Sequence, residues 1–154
     1  MEIKNSKGEV IFRQGAAVND KDFDSAVLDD ANLENADLEG AMLSDASLRS
    51  ANLRGADLYW AILFRANLQH ADLENAVLCG ADLKDADLRN ANIRNVDFRR
   101  DNLGGATQMQ GANLEGALTD NAQFDGAEFD ARTRLPDGFV PAAFGMIKTD
   151  TSQP

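Results

Sequence analysis

The chain repeats every five residues over most of its length, and that period leaves few folds open to it. Stepping by five from Leu28 to Leu103 lands on 16 centres, all Leu except Ile93 and Phe98. Two places before the centre stands Ala in 14 of the 16 cases, from Ala26 to Ala91; the exceptions are Val96 and Asp101. The residue just before the centre is usually Asn or Asp, as in Asn32, Asp37, Asn52 and Asp57, and the two after it are mostly polar or Gly. On a helix, five residues advance about 500°, so the Leu positions would spiral around the cylinder instead of forming a stripe. In a flat strand an odd period sends successive Leu to opposite faces. A chain that bends once per repeat escapes both problems. Leu and Ala, two apart on each short extended side, then point the same way, inward, and the other three positions point out. Coils stack about 4.8 Å apart with backbone hydrogen bonds along the axis, and each coil buries its apolar face only against its neighbours.

The run ANLENADLEGAMLSDASLRSANLRGADL resembles the pentapeptide-repeat proteins, whose motif is A-(D/N)-L-x-x, and the resemblance spans roughly residues 18–131. It implies an all-β fold, a right-handed quadrilateral β-helix with four repeats per coil. The stretch TRLPDGFVPAAFGMI is similar to the segment that closes many short bacterial members, cyanobacterial ones above all, and implies a short C-terminal cap. Charge supports the four-repeat coil weakly. With partners four repeats apart, the slot after the centre gives four opposite-charge pairs and no like pair, one column reading Glu34, Arg54, Glu74, Arg94. Three repeats per coil would set Lys84 against Arg99. Facing opposite charges contribute only a few tenths of a kcal/mol each.

The chain divides into an N-terminal cap (1–17) with a strand at Glu9–Arg13, a repeat region (18–131), and a C-terminal cap and tail (132–154). The first coil is looser, with Val18 and Phe23 as its centres and Lys21 in an inward slot. Residues 141–148 are expected to form a short helix that covers the last coil with Phe144 or Met146. From Leu103 to Leu114 is 11 residues, one more than two repeats, so an insertion is expected near 104–111, eased by Gly104, Gly105 and Gly111. A buried unpaired carboxylate is costly, so Asp101 should bond local backbone or sit where the coil bulges. Whether Leu118 or Thr119 faces the core is left open by the pattern.

Little in the composition points to chemistry. One Cys, Cys79, excludes an internal disulfide and a Cys-based metal cluster, and one His, His70, leaves little for a triad. Both fall in outward slots and read as surface residues. Outward carboxylates are spread along flat faces, with no converging set of tuned groups. The expectation is a protein with no enzymatic activity, cofactor or metal. A net charge of −11 disfavours contact with nucleic acid or anionic membranes. The absence of a long apolar run points to a soluble, cytoplasmic chain. Some pentapeptide-repeat proteins mimic duplex DNA, bind type II topoisomerases such as gyrase and confer quinolone resistance, and an acidic member raises that alternative. The charge is uneven, however: −8 over residues 16–45, +1 over 46–100 and −5 over 101–154. The middle of the rod is therefore neutral.

One stretch departs from the polar habit of the outward slots. In ADLYWAILFRANL, residues 56–68, Tyr59, Trp60, Ile62 and Phe64 stand where Asp, Asn, Glu, Arg or Gly usually do. With four repeats per coil they straddle one corner. Met42 falls in the column of Ile62, Cys79 falls in that of Tyr59, and Val77 is close by. Arg65, with Asp45 and Asp85 as column neighbours, supplies a polar rim. An outward apolar patch with aromatic anchors marks a contact surface. Three readings stand: a protein partner of unknown identity or weak homodimer at Met42, Tyr59, Trp60, Ile62, Phe64, Val77 and Cys79; cover by the protein's own terminal segments; or simple stacking on a monomer.

Overall fold

The structure, a computed structural model, describes residues 2–13 and 21–150. Met1, the residues 14–17 assigned to the cap, and Val18 lie outside the described residues.

Each repeat makes one side and one corner of a four-sided coil. At the corner the Ala N–H donates to the carbonyl of the preceding centre, as from Ala31 to Leu28 at 3.1 Å and from Ala61 to Leu58 at 2.9 Å. The second residue after the centre takes a positive φ, as at Asp30 (57°), Asn35 (54°) and Asn75 (63°), the signature of a type II turn. That requirement explains the Asn, Asp and Gly that crowd this slot, since short polar side chains and Gly tolerate the left-handed region best. Trp60 (58°) and Arg65 (57°) hold it too, without that advantage.

Parallel pairing links each residue before a centre to the one twenty positions on, as in Asn32↔Asn52↔Asp72↔Asn92 and Met42↔Ile62↔Asp82. Twenty residues, four repeats, make one coil. Ladder bonds such as Leu28 N to Ser47 O (2.7 Å) and Ser47 N to Ala26 O (2.9 Å) run along the axis. Leu and Ala of all four sides meet inside and, except for the partly buried Ala36, are almost wholly buried from Leu28 to Phe98. The charged columns also form. Arg54 pairs with Glu74 and, at 3.2 Å, with Asp72, and Arg65 with Asp45 at 2.9 Å. Asp85, expected beside Arg65, is engaged by Arg132 at 2.9 Å.

The reading of Leu103 as a core centre is corrected: it is 81% exposed, and Met109, fully buried, is the next centre after Phe98. Pairing confirms this, because Asp82 meets Gln108 and Asp87 meets Asn113, an offset of 26 where 20 is the rule. The insertion is thus six residues long, begins just after Phe98, and returns to the coil at Thr107. Thr119 takes the next inward slot but one and Leu118 lies beside it, half exposed.

At the N-terminal end β1 (Glu2–Lys4) and β2 (Val10–Arg13) form an antiparallel hairpin. Ile3 is buried, the Phe12 ring meets Phe23 edge-on at 5.4 Å, and Asn32 N donates to Lys4 O at 2.7 Å, so the hairpin covers the first coil. At the other end β3 (Glu128–Phe129) pairs in parallel with β4 (Ile147–Lys148). Between them Pro141–Phe144 forms a single 3₁₀ turn in place of the expected longer helix. Phe139 and Phe144 stack on each other (4.4 Å) and both meet Phe124 edge-on, while Met146 is buried.

Candidate functional site: an aromatic corner and the loop it holds

The side centred on Leu58 and the next, centred on Leu63, meet at Trp60, so the outward apolar residues straddle one corner as their spacing requires. Tyr59 and Trp60 pack ring against ring, 4.7 Å apart and tilted by 58°. Around the corner, Ile62 pairs with Met42 of the coil before, and Phe64 carries the Arg65 guanidinium 5.7 Å above its ring. Trp60 is 39% exposed and Ile62 40%, whereas Met42, Phe64, Val77 and Tyr59 are half-buried.

The polar ends of both aromatic rings are occupied by the six-residue excursion. The Trp60 indole N–H donates to Asp101 Oδ2 at 2.6 Å. The Tyr59 hydroxyl donates to Asn102 Oδ1 at 2.8 Å and accepts from Asn102 N at 2.7 Å. Inside the loop, Asp101 Oδ1 accepts from Leu103 N (2.8 Å) and Gly105 N (2.7 Å). The indole N–H is the foremost reason the Asp101 carboxyl is held below the ordinary carboxylate range; partial burial opposes it, and the loop amides reinforce it. Gly80 lies beneath. A Cβ there would come within 2.8 Å of the Trp60 ring and 2.9 Å of the Asp101 carboxylate, so a side chain at this corner would prevent the latch from closing.

Where the loop leaves the coil the ladder has to be mended, and Thr107 does it. Thr107 occupies the inward Ala slot, fully buried. Its hydroxyl accepts from Gly80 N (2.9 Å) and lies 3.0 Å from Leu78 O and 3.2 Å from Arg99 O, the carbonyls to which it can donate. A second irregularity, the offset of 21 between Asn113 and Arg134, is mended likewise: buried Asp130 accepts from Gly111 N at 3.0 Å and Arg132 N at 2.9 Å. Burial opposes its ionisation, but these N–H groups and the Arg132 guanidinium prevail and lower its pKa.

Two site readings change. Cys79 is buried, not a surface residue: it lies between Tyr59 and Arg99 in their shared column, its thiol 3.8 Å from Asp97 O, and burial foremost pushes it up to about 11. Among the described residues, the cover over Tyr59 and Trp60 comes from an internal loop and not from a terminal segment. The sequence held one signal of this, the carboxylate of Asp101 in an inward slot just before Gly104 and Gly105. His70 is exposed at its corner, as expected. Among the described residues no group of His, Cys, Asp and Glu could hold a metal ion, and no helix is long and apolar enough to cross a membrane.

Residues 22–58 and 61–100 match the family model for pentapeptide repeats, in eight copies. No curated protein matches. Among solved structures, a pentapeptide-repeat protein from the cyanobacterium Cyanothece 51142 is 37% identical over 65% of this chain and 64% of its own, with a TM-score of 0.59. The chain therefore spans a little under two thirds of that relative. HetL of the cyanobacterium Nostoc sp. strain PCC 7120, a pentapeptide-repeat protein involved in heterocyst differentiation regulation, is 25% identical over 82% of this chain and 71% of its own, with a TM-score of 0.57. QnrB1, a plasmid-mediated fluoroquinolone resistance protein, is 18% identical over 84% of this chain and 77% of its own, with a TM-score of 0.52, and shares the fold alone.

Proposed function

This chain belongs to the pentapeptide-repeat family, whose members fold as right-handed quadrilateral β-helices, and from that premise we propose that it is a non-enzymatic scaffold binding a protein partner through its aromatic corner. The observation that carries the reading is the apolar surface left open at a rigid place: Trp60 and Ile62 about two-fifths exposed, with Leu103 81% exposed on the loop latched to them. Met42 pairs with Ile62 and Tyr59 packs on Trp60; of the other residues at this corner, Phe64 and Val77 are half-buried and Cys79 is buried. A contact made by a loop already fixed by hydrogen bonds loses little conformational entropy on binding. HetL, 25% identical, is described by its involvement in heterocyst differentiation regulation, a role that a binding protein can fill.

The test uses Ile62→Ser with Phe64→Ser, which alters the patch and leaves the Tyr59 and Trp60 latch in place. Size exclusion with light scattering, followed by affinity capture from source lysate, should show a partner or second copy held by wild type and lost by the folded variant. Equal retention by both would overturn the corner as the contact. The topoisomerase-mimic reading is less well supported, because the middle of the rod, residues 46–100, carries +1 and its arginines break any negative stripe. In a gyrase supercoiling assay this protein should neither inhibit the enzyme nor protect it from a quinolone.

A further inference from the structure

Beside the latch lies an open cleft of about 440 Å³, lined by Tyr59, Cys79, Arg99, Arg100, Asp101, Asn102 and Asp125. We propose that it is a binding site for a small carboxylic acid with an apolar or aromatic body, a function independent of any protein partner.

The floor is one column of the solenoid. Tyr59, Cys79 and Arg99 occupy the same slot on successive coils, about 4.8 Å apart. Cys79 is the smallest of the three, so the column dips between a phenol ring and a guanidinium. Its thiol, which burial foremost pushes up to about 11, is neutral at ordinary pH and lies low in that dip without adding charge to the cleft. The loop that Tyr59 and Trp60 hold in place makes the wall. The volume lies within the roughly 300–1,000 Å³ usual for small-molecule sites.

The charges select the ligand. Arg99 is taken: its Nε and Nη2 grip Asp97 at 3.0 and 2.9 Å, and Asp125 adds to the field around it. The Asp101 carboxylate is taken by the Trp60 indole and the loop amides. Arg100 differs. Its Nη1 donates to Gly104 O at 2.9 Å, and its stem crosses Gly126 so closely that a Cβ there would lie 2.6 Å from Nε. Among the described residues no carboxylate pairs with it. A guanidinium fixed at the rim of a cleft with donors to spare is the standard partner of a carboxylate, which it takes through two parallel N–H bonds. Beyond it, the half-buried Tyr59 ring offers an apolar surface to the rest of the ligand.

The probe is sodium phenylacetate, with phenylacetamide as its neutral counterpart and inorganic phosphate as an anion without an apolar body, each followed by amide NMR shifts of the full chain. Phenylacetate should bind saturably at millimolar concentration and move the amides of 79 and 99–102. The amide and phosphate should each bind at least about tenfold more weakly, as expected when a charge-assisted pair or the apolar contact is lost. Arg100→Met should weaken phenylacetate by a similar factor while Trp60 emission, which reports the latch, stays as in wild type. No saturable shift, equal binding of acid and amide, or phosphate binding as tightly as phenylacetate would overturn the proposal. The comparison of acid with amide is made on wild type, so it stands even if Arg100→Met disturbs the loop.

Discussion

At the scale of single residues, this structure turns on side-chain oxygens that stand in for missing backbone partners. Thr107 is the clearest. Its hydroxyl satisfies Gly80 N, with Leu78 O and Arg99 O within reach of its proton, at a place where the regular ladder is interrupted. Thr107→Val keeps the shape and removes the oxygen, leaving a buried N–H without an acceptor. The expected loss is about 1–3 kcal/mol in urea unfolding. Asp101 yields a pH prediction. Its carboxyl lies below the usual value of about 3.9 in the folded chain, so its contribution is fully present above that pH and is lost as pH falls through the lowered value. Trp60 is the only tryptophan. Its emission should shift to the red in acid as the latch opens, and Asp101→Asn should abolish that step.

At the scale of elements, the coil tolerates a corner of a different length provided the next side returns in phase. Deleting residues 100–105 and replacing Ala106 by Gly, to suit the left-handed corner, rejoins Phe98 to Met109 at the regular five-residue spacing. The shortened chain should unfold in a single transition, with Trp60 emission red-shifted because its partner is gone; failure to fold would show that the loop is needed for the coil. The period of five also governs what the sequence could and could not disclose. Sides, corners, inward Leu and Ala and the place of Tyr59 through Phe64 at one corner were all legible, because each follows from the period of five. An insertion is visible only modulo that period. Six extra residues therefore looked like one, and Leu103, five after Phe98, fell on a core position by coincidence. The burial of Cys79 was hidden for a related reason: it lies low between Tyr59 and Arg99, and the loop residues that wall this column are added outside the regular period.

At the scale of the molecule, stability is a chain of nearest-neighbour contacts between coils, closed at both ends. Hydrogen exchange should accordingly be slowest in the ladder amides of the central coils, such as Leu58 and Leu63, and faster toward Phe23 and Phe124, where one neighbour is a cap instead of a coil. A uniform protection profile would point to one cooperative unit instead. The pairing beyond the loop, Gln108 with Glu128, is back to an offset of 20, so the six added residues shift nothing downstream. Length can thus be added at a corner without rewriting the rest of the chain, whereas a residue added within a side would have to bulge out of the ladder at that place. For protein engineering this makes the corners natural ports: an epitope, a tag or a randomised segment spliced there would be displayed on a rigid rod, at a height set simply by the coil chosen to carry it.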